Sequence, residues 1–96
     1  MKVKFLLPGA SEFREAIEYY DRQRPGLGLE FREEVYATLE RIKQFPLSFR
    51  SLSPNTRRCQ TRRFPYGIIY QVTQDEVIVV AVGHLHREPD YWKGRK

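Results

Sequence analysis

Residues 62–82 read "RRFPYGIIYQVTQDEVIVVAV". This stretch decides the fold, because it holds two apolar β-rich runs around a short polar turn. "IIYQV", residues 68–72, alternates: Ile68, Tyr70 and Val72 share one face, and Gly67, Ile69 and Gln71 share the other. The first set is the more apolar and is expected to face a core. "TQDE", 73–76, is a plausible hairpin turn. "VIVVAV", 77–82, is apolar at every position, which suits a central strand covered on both sides. Upstream, Pro65 cannot donate to a ladder, so Phe64-Pro65-Tyr66-Gly67 marks a bend between this pair and a polar strand "RRCQTRR", 57–63.

Working outward, "KVKFLL", 2–7, reads as a first strand ending at Pro8-Gly9. In the segment that follows, Phe13, Ala16, Ile17 and Tyr20 fall on one helical face. Ser11 is the expected N-cap, with Glu12 and Glu15 near the positive end of the helix dipole. "RPGLG", 24–28, breaks this helix, and a second is expected over 28–45, with Phe31, Val35, Leu39 and Ile42 as its apolar stripe. A short link between amphipathic helices makes a hairpin of them. The acidic residues of both helices read as solvated faces. "PLSFRSLSPNTR", 46–57, is turn-rich and reads as a loop. In the tail, Pro89, Asp90 and Gly94 suit a short helical turn. The expected fold is α+β, in the order β-α-α-β-β-β. It has a mostly antiparallel four-stranded sheet with the helical hairpin on one face, and residues 1–96 form a single domain.

Length, charge and cysteine count narrow the class. A chain of 96 residues leaves little room for a second domain, and 41% apolar content excludes a disordered one. The net charge of +5 favours anionic partners. The one cysteine, Cys59, excludes an intramolecular disulfide and suits a reducing compartment. No apolar run approaches the ~20 residues of a membrane span, and the three-residue run at 5–7 is too short for a signal peptide. A soluble cytoplasmic protein is expected, without a membrane partner.

In this order and at this length, "EAIEYYDRQRPGLGLEFREEV", "RRFPYGIIYQV" and "VIVVAVGHLHREPDYW" resemble the RelE/ParE superfamily of toxins of bacterial type II toxin–antitoxin systems. The resemblance spans nearly the whole chain and points to its plasmid-stabilisation, ParE-like branch. It implies a RelE-like fold, growth inhibition, and a hetero-oligomer with a cognate antitoxin whose flexible acidic segment suits the basic toxin. Two activities occur on that scaffold: ParE-type members poison DNA gyrase, and RelE-type members are ribosome-dependent mRNA endoribonucleases. Enzyme status is open at this point, because a shared fold does not set the activity.

A nuclease of this kind must activate a 2′-OH, stabilise phosphorane charge and protonate the leaving oxygen. The residue types suited to that work are Arg57, Arg58, Arg62, Arg63, His84, His86, Arg87, Tyr91, Arg95 and Lys96. By strand alternation Arg58, Gln60 and Arg62 share a face, opposite Cys59, Thr61 and Arg63. The resemblance implies that Arg58 and Arg62 lie where the nucleases carry basic residues. His86 or Arg87 would then serve charge or proton transfer, and Tyr91 would be the acid/base. Against this, those nucleases typically carry an arginine at the position of Gly67. The same arginines also serve as charged protection of a sheet edge. Tyr91 and Trp92 read first as packing residues that fold the tail back. His84, His86 and Cys59 lack further metal-ligand spacing, so neither a metal nor a cofactor is expected. The balance favours a gyrase-binding toxin, with the ribosome-dependent nuclease as the alternative. A generic basic nucleic-acid-binding domain ranks last, having no recognisable motif.

Overall fold

The computed structural model describes residues 1–95. Lys2–Phe5 form β1, Leu7–Gln23 α1, Leu27–Gln44 α2, Arg50–Ser53 β2, Thr56–Gln60 β3, Tyr66–Val72 β4 and Glu76–His84 β5. The fold is α+β, with two helices and one five-stranded sheet in the order β1-β5-β4-β3-β2.

The sheet differs from the expected one in strand count and in one pairing. The extra strand, β2, lies within the segment expected to be a loop. Its sequence RSLS is too polar and too short to show alternation, while the Pro54-Asn55 turn signal beside it is its hairpin to β3. β1 runs parallel to β5, with Val3 opposite Val77 and Phe5 opposite Val79. Alternation assigns residues to faces but is silent about which strand lies alongside. The helices carry the chain from β1 to the far edge of the sheet, and β2, β3 and β4 bring it back to β5, which supplies the long connection a parallel pair requires.

Local signals account for most of the rest. Pro8 does not end β1; it sits in the first turn of α1, where its missing N–H has no partner to lose. The cap position belongs to Leu6, whose N–H donates to Val79 O at 2.9 Å, and Ser11 lies inside the helix. α2 starts at a left-handed Gly26 (φ 91°), a conformation glycine adopts without a Cβ penalty. Its exposed amide ends are satisfied from α1: Asp21 Oδ1 accepts from Gly26 N–H at 3.0 Å and from Gly28 N–H at 3.2 Å. The polar strand ends at Gln60, earlier than the expected 63, and the chain bends through Phe64 and Pro65. Thr61 holds that bend by donating its hydroxyl to Phe64 O at 2.6 Å.

The core lies between helices and sheet. Phe31, Val35, Leu39 and Ile42 of α2 are buried against Ile68, Tyr70, Val77 and Val79. Each such side chain stabilises the fold by roughly 1.5–3 kcal/mol through burial. Tyr20, Phe31, Phe64 and Tyr66 add an edge-to-face aromatic group, with centroids 4.9–5.1 Å apart for the Phe31–Phe64, Phe31–Tyr66 and Tyr20–Phe64 pairs. Tyr70 donates its hydroxyl to Pro46 O at 2.7 Å, tying β4 to the end of α2.

Across the sheet lies a second, smaller apolar layer. The β4–β5 register shifts beside Ile69: Ile69 faces Ala81, but Tyr70 faces Val79. The extra residue, Val80, therefore joins Ala81 on the outer face, where both pack with Ile69 and Trp92. A regular ladder would turn one of them inward. This bulge makes the apolar floor on which the C-terminal tail lies. Among the described residues, no helix is long and apolar enough to cross a membrane.

Candidate functional site

The outer face is built around two glycines. Gly67 of β4 pairs with Gly83 of β5. A Cβ on Gly67 would come within 2.8 Å of Arg58 Cδ, and a Cβ on Gly83 would overlap the Tyr91 hydroxyl. The bare backbone thus gives the Arg58 stem and the Tyr91 ring their seats. Beside Tyr91, Trp92 is 9% exposed and rests on the bulge residues.

The tail that delivers these side chains is a series of turns rather than a helical turn, with Lys93 N–H bonded to Asp90 O and Asp90 in the left-handed region (φ 66°). It is anchored by Glu12 of α1. Glu12 Oε1 accepts from Val82 N–H at 3.1 Å and Arg95 Nη1 at 2.8 Å. Its Oε2 accepts from Arg95 Nη2 at 2.9 Å and Arg87 Nη1 at 2.9 Å. Arg95 also donates to Val80 O at 3.2 Å. Beyond the end of β1, this clamp occupies the edge of β5 that β1 leaves unpaired. The Arg87 and Arg95 guanidinium carbons lie 4.0 and 5.4 Å from the Tyr91 ring centroid. Burial, with the Glu12 charge adding to it, pushes the Tyr91 phenol above its ordinary value of 10.0, although the nearby arginines pull the other way. At neutral pH Tyr91 is a hydrogen-bond donor and not a base.

Next to the clamp is a cleft of about 210 Å³, lined by Arg50, Leu52, Arg58, Ile69, Arg87, Tyr91 and Trp92 among others. It brings together three of the five residues expected to carry nuclease chemistry: Arg58, Arg87 and Tyr91. Arg62 is exposed beyond the end of β3, where its backbone N–H donates to Glu34 Oε2 at 2.7 Å, and it does not line the cleft. His86 is exposed and also outside the lining, and its backbone N–H donates to His84 Nδ1 at 3.1 Å. Arg57 donates to Phe49 O at 2.9 Å, and Arg63 pairs with Glu30 at 2.9 Å, which holds the Glu30 carboxyl below its usual range. Cys59 is buried on the helix side, and burial raises its thiol pKa, leaving it unreactive. Lys96 lies outside the described residues. Among the described residues, no group of three or more His, Cys, Asp or Glu side chains is placed to hold a metal.

The sequence reading missed Glu12, Gly83 and Arg50. Glu12 is not a solvated helix residue: its side chain is 15% exposed and holds the tail. Glu30 and Glu34 likewise reach across to the β3–β4 bend. The acidic positions on a helix give no sign of this, since the partners lie 28 to 83 residues away in the chain. Arg50 was hidden by the loop assignment.

Two helices and a five-stranded mixed sheet, with a tail clamped over the outer face, make the α+β scaffold that carries this site. The family model described as "ParE toxin of type II toxin-antitoxin system, parDE" matches residues 3–89, and the chain belongs to this family. Among solved structures it is similar to a chain of the "Chromosomal ParDE TA system from P. aeruginosa", with a TM-score of 0.75 and 17% identity. That match covers 88% of this chain and 95% of the other, and at such identity it speaks for the fold. No curated protein matches the chain.

Proposed function

We propose that this ParE-family toxin stops growth by binding and poisoning DNA gyrase in the cytoplasm, and that a cognate antitoxin neutralises it in a hetero-oligomer. The observation that carries a binding mode over a cutting one is the Glu12 clamp. Arg87 is paired with Glu12, and the guanidinium carbons of Arg87 and Arg95 lie 4.0 and 5.4 Å from the Tyr91 ring centroid. Two of the groups an RNA-cleaving site needs are thereby committed to structure, and Gly67 offers no side chain to a phosphate.

The antitoxin reading is supported on the helix side. Leu29 and Tyr36 lie seven apart on α2 and so share a face, at 53% and 46% exposure, and Phe45 at the helix end is 58% exposed. Apolar groups of this kind on a +5 protein suit an acidic, amphipathic segment that folds on binding.

The test is a supercoiling assay with purified gyrase, beside a programmed-ribosome cleavage assay. Inhibition of gyrase, relieved by the product of the neighbouring gene, is expected. Intact gyrase activity together with cut message would replace this reading by the nuclease.

A further inference from the structure

Arg50 and Arg58 are directly opposite one another across the β2–β3 pair. Both side chains line the outer-face cleft. Among the described residues, neither makes an ion pair or a side-chain hydrogen bond. Like charges directly opposite in an antiparallel pair are destabilising, so the arrangement works against the fold it sits in. Arg87, which lines the same cleft, is by contrast paired with Glu12. Arg58 is also held in place, because its stem lies over Gly67 where any side chain would displace it.

We infer that Arg50 and Arg58 form a carboxylate-binding fork that engages an acidic side chain of the toxin's protein target, with an adjacent apolar side chain of the target seated on the half-buried Leu52 beside them. This deepens the proposed gyrase-binding function and rests on it. Charge complementarity sets the sign of the ligand, and the rest of the cleft sets its class. Glu88 and Asp90 also line the cleft, so a continuous phosphate backbone running through it meets like charge, whereas a single carboxylate needs only the two guanidiniums. Leu52, half-buried beside the two arginines, suits a peptide side chain. The antitoxin is assigned to the exposed face of α2, on the other side of the sheet. Two guanidinium forks converging on one carboxylate give charge-assisted bonds of the stronger kind.

The experiment compares wild type, Arg50→Gln and Arg50→Gln/Arg58→Gln by growth arrest on induction, gyrase inhibition, antitoxin co-purification and thermal unfolding. The double variant is expected to need about 30-fold more protein for half-inhibition of gyrase, a size typical of a truncated charge contact at an interface. Its growth arrest should be lost, its antitoxin binding kept, and its melting temperature unchanged or higher. Arg50→Gln, at an exposed edge position, folds as wild type and is expected to show several-fold weakening. Wild-type potency in the double variant overturns the inference. Loss of antitoxin binding with toxicity kept overturns it too, assigning the fork to the antitoxin. So does Arg50- and Arg58-dependent binding of a 20-nucleotide single-stranded RNA or DNA, which assigns it to phosphate. If wild type arrests growth without touching gyrase, the gyrase reading fails alone. Loss of arrest in the double variant then still supports the fork.

Discussion

Replacing Glu12 with alanine tests the clamp directly. The carboxylate accepts four hydrogen bonds, from Val82 N–H, both Arg95 nitrogens and Arg87. Its side chain is 15% exposed and that of Arg95 is 17% exposed. Removing one partner of a buried pair costs about 3–5 kcal/mol. Two features reduce that here. Arg95 lies outside the helices and strands and can swing into water, recovering its hydration, and Arg87 at 42% exposure contributes only the ~0–1 kcal/mol of a surface pair. What remains is the lost bidentate bond and an orphaned Val82 N–H, the latter worth about 1–3 kcal/mol. The expected loss for Glu12→Ala is therefore about 2–3 kcal/mol. For a chain of this size that lowers Tm by roughly 10–20 °C. Glu12→Gln keeps an acceptor for Val82 and should lose about half as much. Urea unfolding followed by circular dichroism gives the free energy, and a Glu12/Arg95 double-mutant cycle should return a coupling of about 1–2 kcal/mol. If Glu12→Ala lies within about 0.5 kcal/mol of wild type, the clamp is a surface ornament and the reasoning fails.

Gly83→Ala should push Tyr91 off its seat, because the added Cβ overlaps its hydroxyl. Trp92 is the sole tryptophan and rests beside it, so its emission should shift to the red, with stability falling by about 1–3 kcal/mol; unshifted emission would show that the tail does not depend on the bare glycine. Burial raises the Tyr70 phenol from 10.0 to about 12. The folded state then holds a proton that the unfolded state has released, so the Tyr70 contribution is complete below pH 10 and is lost as pH rises from 10 to 12. That contribution is of order 2–3 kcal/mol. Tyr70→Phe should make stability fall less steeply with pH in that window, the raised phenols of Tyr20, Tyr66 and Tyr91 supplying the remainder, and an unchanged slope would contradict the assignment.

What the sequence by itself determined is what local backbone geometry encodes. The spacing of Phe31, Val35, Leu39 and Ile42 fixed one face of α2, and all four are buried as that period requires. Alternation in 68–72 sent Ile68 and Tyr70 to the helix side and Ile69 to the outer face. The same alternation put Arg58 on the cleft side and Cys59 on the helix side. Helix and strand periods repeat over a few residues, so a short window reads them. Tertiary structure decided the rest. The parallel pairing of β1 with β5 and the Glu12–Arg95 bond join residues 74 and 83 positions apart, and the pairing of β2 and the bulge at Val80 depend on the strand that lies alongside. Each is a choice among many partners of the same chemical type, and only the packed chain brings one of them within reach. Arg62 shows the limit from the other side: alternation placed it with Arg58, but the strand ends at Gln60, and the bend carries it away from the cleft.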